Sequence, residues 1–157
     1  YSPPLLTTAG GVRRLIVPGP KAVRGLNPDT GERLWTTPYD ATSGSVIMTP
    51  VVVGEYLFVG GYDKKNLLVK LPAGKTDTVD VVFRDKKGHG VSPVNVQPFV
   101  EGGVIYGFDQ DGLLFAVEVP SGKRLWESDA PIQEGKPLGS GTAFIVKNDD
   151  RFVLFNE

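Results

Sequence analysis

The chain has 157 residues, of which 40% are hydrophobic and 22% are charged, and this balance fits one globular domain rather than a disordered segment. A formal net charge of −1 argues against the dense basic face that a nucleic-acid surface needs, and no apolar run approaches the roughly 18 residues required to span a membrane. The absence of cysteine excludes disulfides and thiolate chemistry.

Turn residues dominate the composition. Twenty glycines and thirteen prolines are spread along the chain without a low-complexity tract, which favours many short elements joined by turns. No stretch has the apolar spacing of an amphipathic helix without an interrupting glycine or proline. The sequence therefore predicts an all-β fold without helices.

A pattern of short apolar runs recurs along the chain. The first unit covers about 2–40, the second 46–87 and the third 94–130, and a partial unit covers 139–157. Prolines at the start of each full unit and glycines in its last turn repeat every 43 to 48 residues, the length of a four-stranded propeller blade. These markers are Pro3, Pro50, Pro98, Gly31, Gly74 and Gly122.

Each unit divides into strand-like runs rich in β-branched and aromatic residues. In the first unit the middle strands are predicted at 15–17 and 22–26, with the outer strand in "ERLWTTPY". The second unit predicts strands at 51–53, 56–60, 66–71 and 79–84, and the third at 97–100, 104–108, 113–119 and 124–128. The partial unit predicts one strand, a turn at 148–150 and a second strand.

Two stretches, "GLNPDTGERLW" at 25–35 and "AVEVPSGKRLW" at 116–126, are nearly the same and contain the only two tryptophans. They resemble the tryptophan-docking repeat of the pyrroloquinoline-quinone (PQQ) type β-propellers, A-x-D-x-x-T-G-K/E-x-x-W. Gly25 replaces the alanine in the first copy, and the middle unit keeps only Gly74 and Lys75 of the motif. The residues assigned to blade docking are Asn27, Thr30, Gly31, Trp35, Ala116, Glu118, Ser121, Gly122 and Trp126.

The resemblance implies an arc of about three and a half four-stranded antiparallel blades, spanning 1–157 as part of a larger PQQ-like propeller. The polar residues and glycine of each motif would form a tight turn, since their side chains can bond nearby backbone N–H groups. Each Trp would pack on the neighbouring blade, with a partner there for its N–H. An open arc would also leave apolar blade faces uncovered, which predicts self-association or coverage by the remaining blades.

The resemblance implies two possible functions, and the residues of this chain favour one of them. Quinoprotein dehydrogenases of this class hold PQQ over a calcium ion, often with adjacent cysteines and a stacking Trp. This chain has no cysteine, and docking would occupy both tryptophans. We therefore expect a non-enzymatic binding or scaffolding module, with no catalytic, cofactor-binding or metal residues and no predicted cofactor, and keep the dehydrogenase fragment, with PQQ and calcium, as the alternative.

Three other features have structural explanations. His89, the only histidine, is predicted to be an exposed loop residue because no carboxylate or nucleophile lies near it in sequence. "DQDG" at 109–112 lacks the spacing of a calcium loop and predicts a hairpin turn. Alternating aromatic residues predict packing between blades, although they could instead line a binding groove. They are Tyr106, Phe108, Phe115 and Phe144.

The expected partner is a protein, or the remaining blades of the same ring, and neither nucleic acid nor a membrane span is expected. The connections at 41–45, 86–92 and 131–139 are the predicted partner-binding loops because they join successive units and carry mixed polar residues. The opening segment, 1–11, has no signal-peptide pattern, and the cysteine-free composition fits a cytoplasmic or an exported protein. The resemblance alone favours a periplasmic or secreted location.

Overall fold

The computed structural model describes residues 2–74, 76–133, 135–136, 138–141 and 143–156. This part of the chain forms fourteen strands. They are β1 (Leu5–Ala9), β2 (Val12–Pro18), β3 (Ala22–Leu26), β4 (Arg33–Pro38), β5 (Val51–Val53), β6 (Tyr56–Gly61), β7 (Lys65–Lys70), β8 (Asp80–Arg84), β9 (Phe99–Glu101), β10 (Val104–Phe108), β11 (Leu114–Glu118), β12 (Arg124–Ser128), β13 (Ala143–Asn148) and β14 (Arg151–Asn156).

The strands form consecutive antiparallel sheets. The first sheet is β1–β2–β3–β4, the second β5–β6–β7–β8 and the third β9–β10–β11–β12, and β13 pairs with β14 in a hairpin. The predicted all-β arc of about three and a half four-stranded blades is therefore confirmed. The sequence missed one 3₁₀ turn, at Thr42–Gly44, and within the described residues no helix has the length and apolar character to cross a membrane.

Glycine pairs close two of the hairpins. Gly10 and Gly11 have φ of 57° and 74° between β1 and β2, and Gly102 and Gly103 have φ of 57° and 80° between β9 and β10. Positive φ at both central residues gives a two-residue turn the twist that matches the flanking strands, and glycine adopts it without steric cost.

The hydrophobic core lies between the sheets rather than inside any one of them. Ile16 and Trp35 of the first sheet pack with Leu57 and Leu67 of the second. A second cluster joins Phe58 and Leu68 of the second sheet to Ile105 and Phe115 of the third, and a smaller one joins Phe108 to Ala143 of the hairpin. Because each fully buried side chain of this size contributes about 1.5–3 kcal/mol, most of the stabilisation depends on neighbouring sheets being in contact.

The second sheet is covered on both faces. Residues 57–61 of β6 and 66–69 of β7 are all buried, whereas partly buried and exposed residues alternate along β1 before the buried Ala9. A strand buried on both faces needs a continuous apolar run, which "YLFVGG" and "NLLV" supply. The second sheet is consequently the centre of the arc.

Phe83 occupies the position of the docking tryptophan in the second sheet. Each of the three sheets has a β-bulge at the same place between its third and fourth strands. The bulge directly follows one residue pair, which is Gly25 with Trp35 in the first sheet, Leu68 with Phe83 in the second and Ala116 with Trp126 in the third. Phe83 is 4% exposed, and a Cβ on Gly122 would lie 2.0 Å from its Cε1 atom. Its ring therefore lies directly on the turn glycine of the third sheet, a contact that the sequence analysis did not find.

Arg14 joins the first two sheets through buried hydrogen bonds. Its guanidinium donates to the carbonyls of Ala9 at 2.6 Å and Val12 at 3.2 Å in its own sheet, and it also donates to the carbonyl of Pro72 in the turn of the second sheet. Arg14 is 1% exposed, so these backbone carbonyls replace the water that its charge would otherwise bind.

The hairpin β13–β14 has an exposed apolar face. Phe144, Val146, Val153 and Phe155 lie on the face turned away from the third sheet and are 43% to 56% exposed. The expectation that Phe144 packs between blades is therefore wrong within the described residues, while Phe108 and Phe115 are buried and Tyr106 is partly buried. Self-association through this face remains a prediction.

Replacement of Gly122 by Ala tests the Phe83 contact. Gly31 is a matched control because its φ of 74° is close to the 73° of Gly122, and no atom lies within 4 Å of the point where a Cβ on Gly31 would sit. Both substitutions should lose about 1–2 kcal/mol to the positive φ, and Gly122→Ala should lose a further ~1–3 kcal/mol by displacing Phe83. Urea unfolding of both variants measures the difference, and equal losses would contradict the contact.

Candidate functional site

The docking motif of the first sheet folds as a tight turn. Asn27 Oδ1 accepts the N–H groups of Asp29 at 2.9 Å and Thr30 at 3.4 Å, and Thr30 Oγ1 accepts the N–H of Glu32 at 3.3 Å. The Gly31 N–H donates to the Asn27 carbonyl at 2.9 Å. The structure thus brings Asn27, Thr30 and Gly31 together in one local network.

The third sheet has the same backbone turn with different side-chain bonds. The Gly122 N–H donates to the Glu118 carbonyl at 2.8 Å, and Ser121 Oγ accepts the Lys123 N–H at 3.2 Å. The longer Glu118 side chain accepts the Ser121 hydroxyl at 2.5 Å. Glu118 therefore fixes the serine, whereas Asn27 bonds the backbone directly.

The two docking tryptophans have different surroundings. Trp35 is 1% exposed in the core between the first two sheets and lies over Gly25, where a Cβ would be 2.3 Å from its ring. Its Nε1 has no hydrogen-bond partner among the described residues, so the expected N–H partner in the adjacent blade stays a prediction for Trp35. Trp126 pairs with Ala116 and lies 6.1 Å from Tyr106, but 46% of it is exposed.

Trp126 lines a small apolar gap between the third sheet and the hairpin. The gap holds about 190 Å³ and is lined by Tyr106, Leu114, Trp126, Ile145, Phe152 and Leu154. Phe152 of the hairpin contacts Phe99 edge to face at 5.3 Å. The hairpin thus packs beside Trp126 without covering it.

A polar face lies where the second and third sheets meet. Strand connections place four segments there, and we name them together the inter-sheet loop face. It comprises residues 62–66, 85–92, 109–112 and 138–139. Of the three predicted partner loops, 86–92 is part of this face. The loop at 41–45 contains the 3₁₀ turn and is not part of it, and 131–139 lies partly outside the described residues.

Asp109 is a buried carboxylate that links several residues of the loop face. Its Oδ1 accepts the Ser92 N–H at 2.5 Å, and its Oδ2 accepts the Arg124 guanidinium at 2.9 Å. Ser92 Oγ in turn accepts Asn66 Nδ2 at 3.1 Å. Burial raises the pKa of the Asp109 carboxyl above its usual value, although Arg124 and the Ser92 N–H oppose the rise.

Arg124 is hydrogen-bonded to the 86–92 loop. Arg124 Nε donates to the Gly90 carbonyl at 3.0 Å, and its guanidinium carbon lies 3.6 Å from the centre of the Phe115 ring. The backbone of His89 forms a β-bridge with Lys123. His89 also contacts Phe83 edge to face at 5.4 Å and is only partly exposed, so its prediction as an exposed loop residue is wrong.

Two cavities open on the loop face. One holds about 390 Å³ and is lined by Asp63, Lys64, Ser92, Asp109, Gln110, Asp111, Leu138 and Gly139. The other, which we name the basic groove, holds about 620 Å³ and is lined by Lys64, Asn66, Asp85, Lys86, Lys87, Gly88, His89, Arg124 and Glu127. Both volumes lie in the range usual for ligand sites.

The turn between β6 and β7 is strained at this face. Asp63 and Lys64 have φ of 54° and 61°, and the Lys65 N–H closes the turn on the Tyr62 carbonyl at 3.1 Å. Such a turn favours Asn-Gly or Gly-Gly, because other residues are sterically hindered at positive φ. The turn places these two charged side chains at the loop face, and backbone strain of this kind clusters at functional sites.

The residues at 109–112 form the predicted hairpin turn. The Gly112 N–H donates to the Asp109 carbonyl at 2.9 Å, and Gly112 has φ of 89°. Within the described residues, no group of three or more His, Asp or Glu side chains is placed to hold a metal ion.

Comparison with known proteins identifies the family. The family model described as "Outer membrane protein assembly factor BamB" matches residues 20–157. The chain belongs to this family of PQQ-type β-propellers. No match was found among the curated proteins.

Solved structures show the same fold. BamB from Moraxella catarrhalis is 21% identical, with a TM-score of 0.59 over 81% of this chain and 37% of that protein. Quinohemoprotein alcohol dehydrogenase from Comamonas testosteroni is 18% identical, with a TM-score of 0.51 over 74% of this chain and 20% of that protein. The quinohemoprotein alcohol dehydrogenase ADHIIG from Pseudomonas putida HK5 is 18% identical, with a TM-score of 0.53 over 79% of this chain and 19% of that protein. This chain thus spans well under half of each of these propellers.

In the described part of this BamB-family chain, the residues that could contact a quinone make other contacts. The sequence has no cysteine to contact the quinone. Trp35 is enclosed between sheets, and Trp126 lines the gap beside the hairpin. Asp109, the buried carboxylate of the loop face, is occupied by Arg124 and a backbone N–H, so it is poorly placed to take a proton from a substrate.

Lys64→Gly tests the strain in this propeller. Glycine removes the steric penalty of positive φ, but it also raises the conformational entropy of the unfolded chain, which lowers stability. Because the first effect is the larger, we expect the unfolding free energy to rise by about 0.5–1 kcal/mol. Lys87→Gly is the control, since Lys87 is also exposed but its φ is not positive. It should lose about 0.5–1 kcal/mol. Thermal and urea unfolding measure both, and a loss in the Lys64 variant would contradict the strain.

Proposed function

We propose that this propeller is a non-enzymatic binding module that holds a protein partner on its inter-sheet loop face. The observation that carries the proposal is the rigid arrangement of that face. The Asp109 carboxylate accepts hydrogen bonds from both Ser92 and Arg124, and Arg124 also donates to the Gly90 carbonyl in the 86–92 loop. Loops held by buried charge-assisted bonds present a fixed surface, which lowers the entropic cost of binding a partner.

Family membership supports the same function. The matching family is described as an outer membrane protein assembly factor, and a protein that assists assembly must contact other proteins. We extend this role to the present chain and propose a periplasmic or secreted location for it. The quinohemoprotein dehydrogenases share the fold, but fold similarity at 18% identity does not carry their chemistry.

Cross-linking from defined positions tests the binding face. A photoreactive amino acid is placed at Lys87 or Gly139 on the loop face, and at Asp29 or Glu55 in turns at the other end of the strands, in cells producing the full-length protein. All four residues are exposed. We expect discrete protein adducts from the two loop-face positions only. Equal adducts from both ends, or none from the loop face, would contradict the proposal.

Titration with PQQ and calcium tests the alternative. A ligand that binds only the native state must raise its stability, by about 2.7 kcal/mol at a hundredfold excess over Kd. For a domain of this size that is a rise of roughly 5–10 °C in melting temperature. We expect PQQ and calcium together to give no higher melting temperature than calcium alone does. We also expect the quinone absorbance to stay unchanged. A saturable rise would favour the dehydrogenase fragment.

A further inference from the structure

We propose that the basic groove binds an extended acidic segment of a protein partner. The inference rests on the proposed function and specifies the chemistry that the partner presents. It is drawn from the charges that line the groove, from its position between two sheets and from an unpaired acceptor beneath it.

The groove concentrates positive charge in a chain whose net charge is −1. Lys64, Lys86 and Lys87 line it, all three are exposed, and none forms an ion pair with a carboxylate among the described residues. Such unpaired lysines at the rim of a cleft favour an anionic ligand and speed its association.

The acidic residues of the groove cancel only part of this charge. Asp85 is held by Lys65 at 3.2 Å and accepts the Asn66 N–H at 3.0 Å, and the Arg124 charge is matched by Asp109 at 2.9 Å. Glu127 is the remaining carboxylate in the lining. The three lysines therefore outweigh one free acid, and the groove carries net positive charge.

An unpaired acceptor lies at the floor of the groove. Asn66 is 1% exposed, and its Oδ1 has no hydrogen-bond partner among the described residues, although its Nδ2 is bonded to Ser92 and to the Lys64 carbonyl. An unsatisfied buried acceptor costs about 1–3 kcal/mol. Asn66 lines the groove, and an extended peptide supplies backbone N–H donors as well as acidic side chains.

A peptide fits these features better than a nucleic acid or a membrane. Three lysines in one groove are too few for the phosphate contacts of a duplex, and the groove is bounded by the walls of two sheets rather than spread over a flat surface. An extended chain with carboxylates on one side can place them on Lys64, Lys86 and Lys87 together. Such a contact would depend on ionic strength.

Fluorescence anisotropy with labelled peptides tests the proposal on the full chain. The probe is a peptide of alternating glutamate and serine, and its matched control has glutamine in place of glutamate. We expect saturable binding of the acidic peptide, weakened by salt, and at least about tenfold weaker binding of the amide peptide. Equal binding of the two peptides, or binding of neither, would overturn the proposal.

Charge variants locate the contact. The double variant Lys86→Gln with Lys87→Gln should weaken binding by about five- to tenfold at low ionic strength. The control, Lys21→Gln with Lys70→Gln, makes the same charge change outside the groove, where both lysines form exposed ion pairs, and should bind as the unmodified chain does. Glu127→Gln removes the free acid and should strengthen binding about two- to threefold. Equal losses in the two double variants would overturn the assignment.

Competing partners are measured in the same assay. Anionic vesicles or duplex DNA that displace the acidic peptide more strongly than unlabelled peptide does would assign the groove to another partner and overturn the proposal. Failure of the peptide assays while cross-links still form at Lys87 and Gly139 would reject the acidic segment alone. Loss of the loop-face cross-links would reject the proposed function itself.

Discussion

Contact between neighbouring sheets is the interaction on which this structure depends. A single four-stranded sheet cannot enclose a core, so its apolar side chains are buried only when another sheet lies against them. The second sheet shows the result, since residues 57–61 and 66–69 are buried with a sheet on either side. The hairpin β13–β14 shows the converse, because Phe144 and Phe155 lie on a face that no described residue covers. Burial therefore follows position in the arc as much as residue type.

The repeat allowed much of the fold to be predicted from sequence. Blade length is fixed by four short strands and three turns, so the spacing of turn glycines and leading prolines gave the unit directly. Phe83 was missed because the second unit retains so little of the docking motif, and only the bulge in the strand register shows that it stands where Trp35 and Trp126 stand. The preference for an aromatic ring at this point survives where the motif does not.

The candidate site was harder to predict because its residues are distant in sequence. Asp109, Arg124 and Ser92 meet only because adjacent sheets bring a hairpin turn, an outer strand and a connecting loop together. No local pattern marks such a network. The signal that could have indicated it was the charge in "YDKKN", where Asp63 and Lys64 occupy a turn that usually takes glycine or asparagine. His89 was misjudged for the same reason, since its packing partner Phe83 comes from another element.

The burial of Asp109 argues for a structural role for the charges beneath the loop face. A carboxylate that acts as a general base must be free to accept a proton from substrate, whereas both oxygens of Asp109 already have donors. Removing either partner of such a buried pair would leave an uncompensated charge, so the position of the loop depends on both residues. The exposed lysines above it carry no such constraint and can exchange water for a ligand. The buried charges thus fix the shape of the face, and the exposed lysines are left available for the acidic segment that we propose as its ligand.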